Sequence, residues 1–434
     1  MGPTIRLAIP IMLGMLGYGL MFIIDVAMAG QLGETALAAS SLASNLNYIP
    51  YVFGIGLVGA IPVYQSQENG AGVEESAPAI LRHGMCLAVG YSIVAAVVTH
   101  LLTPLLPYLG STPAVTQEAH DFYIIMAWAM VPGLAFHALR GHRDSQHQPW
   151  ISLAWLSAGI VANIILNWLW MYGHWGFPAL GLAGAGWATL ASRFLMLIGL
   201  WFTPGRGEVR WHEGLQRSVI ARLLKTALPA GFHSLSEVGI FAIVPVLAGW
   251  ISPAAQAAHQ VAISLASAGF MLPLGLGIAS GIRTGEAFGA QDAARVRAVG
   301  YGALILGALI MSCYGLIIFF GRPLFLTLFG VSGTDTGTLA ATLIVFATAW
   351  APFDGVQVIA AYLLRSVNCA AWASWAVFLI YWFFSLPMAL VGAFVFHWGA
   401  IGIWVGLISG LILVALALSW KFWQAARHVP KPVA

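Results

Sequence analysis

Twelve runs of about twenty mostly apolar residues punctuate this chain, and that repetition leaves few folds open to it. They lie near 8–30, 43–66, 82–103, 121–140, 150–172, 180–202, 227–250, 259–282, 298–320, 339–363, 370–396 and 400–423. At about 1.5 Å of rise per residue, each is long enough as a helix to cross a hydrocarbon layer about 30 Å thick. With no water in that layer, every backbone N–H and C=O must find a partner within the segment, and a helix supplies one. Of the 434 residues 60% are hydrophobic and 8% charged, whereas a soluble domain carries about 25% charged residues. The expectation is an all-α polytopic membrane protein with twelve transmembrane helices. The first run is too long for a secretory signal, and no small-residue cleavage site follows it.

Basic residues set the direction of threading. Of the 18 Lys and Arg, sixteen fall at the termini or beside even-numbered connections, among them Arg6, Arg82, Arg140, Arg206, Arg210 and Lys431. Arg322 falls on the opposite side and Arg193 within the sixth run. The positive-inside rule then predicts that both termini are cytoplasmic. A net charge of +3 follows from this topology and gives no reason to invoke nucleic acid. Cys86, Cys313 and Cys369 show neither metal nor CxxC spacing and read as small packing residues.

The most polar long connection, 203–225, separates two halves that repeat one another. Residues 8–46 laid on 227–265 without a gap match at 12 of 39 positions, with Pro10 on Pro229 and Phe22 on Phe241. GIG at 54–56 answers GLG at 275–277, and HWG recurs at 174–176 and 397–399. The predicted division is 1–203 for the first lobe with helices one to six, 204–225 for a cytoplasmic connection, and 226–434 for the second lobe with helices seven to twelve. Six spans is an even number, so the repeats run parallel, and a cavity is expected between them. Asp25 aligns with Val244, and Glu237 with Tyr18. The carboxylates were therefore not kept by the duplication, as scaffold residues would more often be.

Asp25, Glu237 and Asp354 lie inside apolar runs, while the other 12 of the 15 acidic residues lie in connections or near helix ends. An ionisable group there costs roughly 3 kcal/mol on insertion scales and marks an ion or proton pathway by default. Asn163 and Asn167 share one face of the fifth run, and Thr189 lies in the sixth. With Asp25 they would form an all-oxygen cluster suited to a hard cation or a proton. Singly, such residues serve more often as helix–helix hydrogen bonds. Glu237 and Asp354, if adjacent, would titrate as one coupled pair, able to hold a proton or Na⁺ at one time and an organic cation at another. The competing reading is a static hydrogen-bonded pair.

Pro10, fifteen residues before Asp25, predicts a kink in the first helix. Phe241 and Trp350 are candidate stacking surfaces for flat cations. Arg193 lies too deep for snorkelling to relieve its full cost, leaving an acid in the cavity or a lipid phosphate as its partner. His142, His147 and Asp144 share a predicted loop but match no zinc template. No P-loop, HExxH, GxSxG or Rossmann fingerprint occurs.

Several stretches resemble the multidrug and toxic compound extrusion (MATE) family in its NorM-like branch. They are PIMLGMLGYGLMFIIDVAMAGQLG (10–33), GFPALGLAGAGWATL (176–190), LPAGFHSLSEVGIFAIV (228–244), AAHQVAISLASAGFMLPLGLGIA (257–279) and DGVQVIAAYLLRS (354–366). The resemblance covers nearly the whole chain and implies two pseudo-symmetric six-helix bundles arranged as a V. It implies export of cationic or amphipathic drugs in exchange for Na⁺ or H⁺, from the inner membrane of a bacterium. It also implies that Asp25, with Asn163, Asn167 and Thr189, forms a cation site in the first lobe, and that Glu237 and Asp354 are the second lobe's acids. Glu237 argues against the DinF-like branch. Asn167 stands where some relatives carry an acid, and Arg193 has no counterpart in the family pattern.

The expected function is therefore secondary antiport, with Na⁺ bound at Asp25 or at Glu237 and Asp354 if Na⁺ is the coupling ion. No cofactor is expected beyond that cation. Organic cations and membrane lipids are the expected partners, and the chain is expected to act as a monomer. A lipid-linked saccharide flippase of related architecture would need a basic cavity for pyrophosphate, for which Arg193 alone is too little. A channel or structural protein would show no coupling between substrate and ion. An enzyme would need a nucleophile–base pair or metal spacing, and neither is visible.

Overall fold

The computed structural model describes residues 1–73, 77–109, 112–204, 211 and 213–429. Arg206, Arg210 and Lys431, which enter the orientation argument, lie outside the described residues. Twelve helices are long and apolar enough to cross a membrane. In chain order they are α1 (Gly2–Gln31), α2 (Glu34–Gly70), α3 (Ala77–Leu101), α4 (Pro113–Ser145), α5 (Pro149–Tyr172), α6 (Gly181–Phe202), α7 (Arg217–Ile251), α8 (Pro253–Gly289), α9 (Ala293–Phe320), α10 (Asp335–Ser366), α11 (Ala370–Val395) and α12 (Ala400–Ala425). No strand occurs among the described residues. The chain is a multi-pass, all-α membrane protein.

Several helices overrun their apolar windows because capping groups start them early. Thr112 begins α4 by accepting from Val115 N, and Ser252 begins α8 by accepting from Ala255 N. Asp292 and Thr334 do the same for α9 and α10. Pro113, Pro149 and Pro253 stand in the first helical turn, where a missing N–H costs nothing. α1 runs without interruption through Pro10. Two π-turns, at Tyr381–Ser385 and Val391–Val395, interrupt α11.

Packing divides the chain into two units, one of Met1–Met15, Gly70–Gly72 and Phe232–Ala434, the other of Leu16–Asn69 and Val73–Gly231. The boundaries of packing and of sequence repeat are therefore not the same. Leu7, Ala8 and Ile11 share a core with Ile240, Val244 and Leu247. Gly275 lets the backbones of α8 and α1 approach closely there, since a Cβ on it would lie 2.6 Å from Met12 Cα. In this unit α10 is central, packed by α8, α9 and α12. In the other unit α4 holds the corresponding place, packed by α2, α3 and α6.

The repeated HWG tripeptides do not share a backbone. In the first copy Trp175 and Gly176 have positive φ (56° and 86°); in the second His397 and Gly399 do (57° each). Val244, aligned with Asp25, is fully buried apolar core. Tyr18, aligned with Glu237, stacks on His137 with ring centroids 5.2 Å apart. Where one half carries a carboxylate, the other carries packing.

Candidate functional site

In the unit containing α2 to α6, the residues Asp25, Asn163, Asn167 and Thr189 meet. α5 is closed by Gly173, whose left-handed φ of 72° returns its N–H to Leu169 O. Asn163 and Asn167 are one turn apart on that helix and fully buried. Asn167 Nδ2 donates to Asp25 Oδ1 at 2.7 Å and to Asn163 Oδ1 at 3.2 Å. Asn163 Nδ2 donates in turn to Thr189 Oγ1 on α6 at 3.4 Å. A half-buried carboxylate thus ends a hydrogen-bonded file crossing three helices. Asn167 Oδ1 is buried and accepts no hydrogen bond among the described residues. All the donor atoms that a cation would meet here are oxygens, the type that suits a hard cation or a proton carrier.

The other unit holds the remaining two acids, Glu237 and Asp354, joined indirectly. Glu237 on α7 is 16% exposed, and Asp354 on α10 is 5% exposed. Gln357 lies one turn from Asp354, and its Nε2 donates to Glu237 Oε1 at 2.7 Å. Tyr381 Oη donates to Gln357 Oε1 at 2.8 Å. His233 Nε2 lies 3.9 Å from Glu237 Oε2, one turn away on α7. Among the described residues no hydrogen bond joins the two carboxylates directly. The amide of Gln357 bridges Glu237 to the helix that carries Asp354. Sequence reasoning passed over Gln357, Tyr381 and His233. Gln357 had a readable signal, a mid-span amide three residues from Asp354; Tyr381 had none, because it comes from a helix the sequence does not link to this site.

Phe241 and Trp350 pack on one another, with ring centroids 5.6 Å apart. Trp350 is buried and also lies against Trp404. Its faces are engaged within the protein, and Phe241 is the more accessible of the two.

The predicted loop holding His142, Asp144 and His147 is corrected. α4 continues through Ser145, so His142 and Asp144 are helical and buried. Polar partners sustain this extension. Gln65 Nε2 meets His142 Nδ1 at 2.8 Å, Ser145 Oγ donates to Gln65 Oε1 at 2.8 Å, and Arg140 Nε lies 3.4 Å from Asp144 Oδ2. Arg143 caps the end of α6 through the carbonyls of Leu200, Thr203 and Pro204, where the helix dipole favours a cation. Among the described residues no group of three or more His, Cys, Asp or Glu is arranged to hold a metal ion.

Comparison with known proteins follows the same lines. The MatE family pattern matches residues 10–169 and 229–391, one copy in each half. A probable multidrug resistance protein NorM from Bradyrhizobium diazoefficiens is 33% identical, covering 98% of this chain and 94% of its own. A protein of the same description from Pseudomonas aeruginosa is 31% identical, covering 99% and 91%. In fold, the chain is similar to the crystal structure of the eukaryotic MATE transporter AtDTX14, with a TM-score of 0.88 at 20% identity, covering 99% of this chain and 97% of that one. The duplicated pattern and the near full-length likeness to NorM proteins lead to one conclusion: this chain belongs to the MATE family of transporters, in its NorM-like branch.

Proposed function

We propose that this protein is a secondary antiporter that exports cationic or amphipathic organic compounds in exchange for Na⁺ or H⁺ by alternating access. The observation that carries the reading is the file Asp25–Asn167–Asn163–Thr189, which contains a buried amide oxygen with no hydrogen-bond partner among the described residues. A fully satisfied helix–helix contact would leave no such acceptor, because a buried unpaired oxygen costs about 1–3 kcal/mol. A cation or a protonated carboxyl would use it. Asp25, Asn163, Asn167 and Thr189 are assigned to ion coupling in the first lobe. Glu237 and Asp354 are assigned to ion and substrate coupling in the second, with Gln357 and Tyr381 positioning Glu237.

Exchange needs two ligands that exclude one another at the same acids. When Glu237 and Asp354 are neutralised by protons or Na⁺, an organic cation loses its counter-charge there and leaves. Charged again, they attract the next. Phe241, half-buried beside this site, offers an aromatic face for a flat cation. The distribution of basic residues supports cytoplasmic termini, and the bacterial relatives support the inner membrane. A monomer is the proposed unit, because each lobe's cluster is completed within one chain. The match to MatE does not favour a lipid-linked saccharide flippase.

The test is export of a fluorescent cationic dye from bacterial cells lacking their own major efflux pumps. Cells producing this protein are expected to exclude the dye and to lose that ability when an ionophore collapses the ion gradient. Equal retention with and without the protein would refute the proposal.

A further inference from the structure

Two basic residues, Arg193 and Arg322, depart from the pattern of the other sixteen. Arg193 is engaged inside the bundle: its Nη1 donates to Ala129 O on α4 at 2.9 Å, and its Cζ lies 4.8 Å from the centroid of the Tyr51 ring on α2. Arg322 opens a short helix, Arg322–Leu328, in the connection between α9 and α10. Its Nε donates to Phe319 O at 2.8 Å, and its Cζ lies 3.9 Å from the centroid of the Phe319 ring. The side chain thus caps the end of α9, where the helix dipole favours a cation. That cap uses Nε alone and leaves the two Nη groups of the guanidinium fork. Among the described residues those Nη groups have no hydrogen-bond partner, and Arg322 forms no ion pair.

Its surroundings are those of a membrane boundary. With twelve crossings, the α9–α10 connection lies on the face opposite both termini. Phe325 and Leu326 of the short helix pack on the core, while Leu324 and Leu328 are 61% and 70% exposed. Large apolar side chains held outward in this way are covered by acyl chains where protein meets lipid. Beside Arg322 a groove of about 500 Å³ follows α10. Gly333 and Thr338 line its end toward the start of α10, and Ala341, Val345 and Phe346 line it farther along. The rise from Thr338 to Phe346 is about 12 Å. Arg322 is the one charged side chain in this lining; Asp335, in the first turn of α10, lies outside it. The corresponding connection of the other half, between α3 and α4, also bears a cavity, of about 860 Å³. Its lining carries His100, His120 and Asp121, and no Lys or Arg among the described residues.

We propose that the groove beside Arg322 binds one anionic phospholipid of the leaflet opposite the termini, with its phosphate on the guanidinium and an acyl chain along α10. A phosphodiester can accept the two N–H groups of a guanidinium edge in parallel, and the unused Nη groups supply them. Charge then sorts the headgroups. Phosphatidylglycerol brings a single negative charge, which Arg322 matches. A zwitterionic headgroup adds an ammonium, and no acid lines the groove to receive it. The apolar walls hold the tail, since every CH₂ taken out of water adds to retention. The cavity of the other half, with Asp121 and no cation in its lining, repels the same headgroup.

The test is photo-crosslinking of the full-length protein in phosphatidylcholine liposomes doped with phosphatidylglycerol that carries a diazirine in one acyl chain. Mass spectrometry of the peptides locates the label. Labelling of the segment 338–346 is expected in the native protein, and phosphatidylethanolamine or diacylglycerol with the same diazirine tail is expected to label it at least fivefold less. Excess glycerol 3-phosphate, which has the phosphate without the tails, is expected not to compete. Arg322→Gln is expected to cut labelling of this segment at least fivefold and to leave labelling elsewhere unchanged. Ala341→Trp, which fills the groove and keeps the charge, is expected to do the same. Undiminished labelling in either folded variant overturns the proposal. Should neither variant fold, the native protein still decides: equal labelling by the diacylglycerol or phosphatidylethanolamine probe overturns it, and competition by glycerol 3-phosphate makes the site one for free phosphate and overturns it too. No ion gradient enters the experiment, so its result is independent of the antiport reading.

Discussion

Asn167 is the residue on which the first cluster turns, since one amide nitrogen holds both the Asp25 carboxylate and the Asn163 oxygen. Replacing it with Ala removes both bonds and leaves Asp25 without its donor. Gradient-driven dye transport is expected to fall at least tenfold, while stability falls by about 1–2 kcal/mol. Initial efflux rates and thermal unfolding of the same preparation check the two parts. In the second cluster Gln357→Leu keeps the volume but strips Glu237 and the Tyr381 hydroxyl of a common partner. A cost of about 1–3 kcal/mol is expected, with a larger proportional loss of transport. Asp25, Asn163, Asn167 and Thr189 are legible in the sequence, because polar atoms inside apolar runs stand out. Gln357 is legible in principle. Tyr381 is not, since its hydroxyl comes from α11, a helix that no sequence feature links to this site.

At the scale of the helix, small residues decide where backbones can touch. A Cβ on Gly402 of α12 would lie 2.3 Å from the backbone of Gly392 on α11, so these helices approach only because both positions lack side chains. Gly402→Val is expected to destabilise by about 1–3 kcal/mol through overpacking. Gly90 on α3 provides the contrast, with nothing within 4 Å of an added Cβ. Gly90→Ala is expected to be neutral or to stabilise by up to about 1 kcal/mol through helix propensity. Paired thermal-unfolding curves in detergent read both. The twelve helices are legible as apolar runs, but their ends are not. Hydropathy places the fourth run at 121–140, whereas α4 spans Pro113–Ser145. The excess is polar and survives in the helix because a Thr cap starts it and buried Gln65 contacts hold its end.

For the whole molecule, the duplication is readable, but the way its pieces pack is not. Leu7, Ala8 and Ile11 belong by repeat to the first half and by contact to the core of the second. An alignment of halves cannot show this, because it compares each segment with its counterpart rather than with its neighbours. Orientation is a prediction of charge distribution alone. A green fluorescent protein fused after Ala434 is expected to fluoresce, as it does only when it folds in the cytoplasm; a dark but full-length fusion would reverse the topology. The central claim is that ion movement and drug movement are coupled through buried carboxylates in both lobes. Its most direct test is dye efflux from proteoliposomes with a pH gradient or a Na⁺ gradient imposed separately, for the native protein and for Asp25→Asn, Glu237→Gln and Asp354→Asn. Efflux driven by one of the gradients in the native protein, and lost in each of the three variants, is the predicted result. Dye movement that is equal in all four proteins and indifferent to both gradients would contradict it.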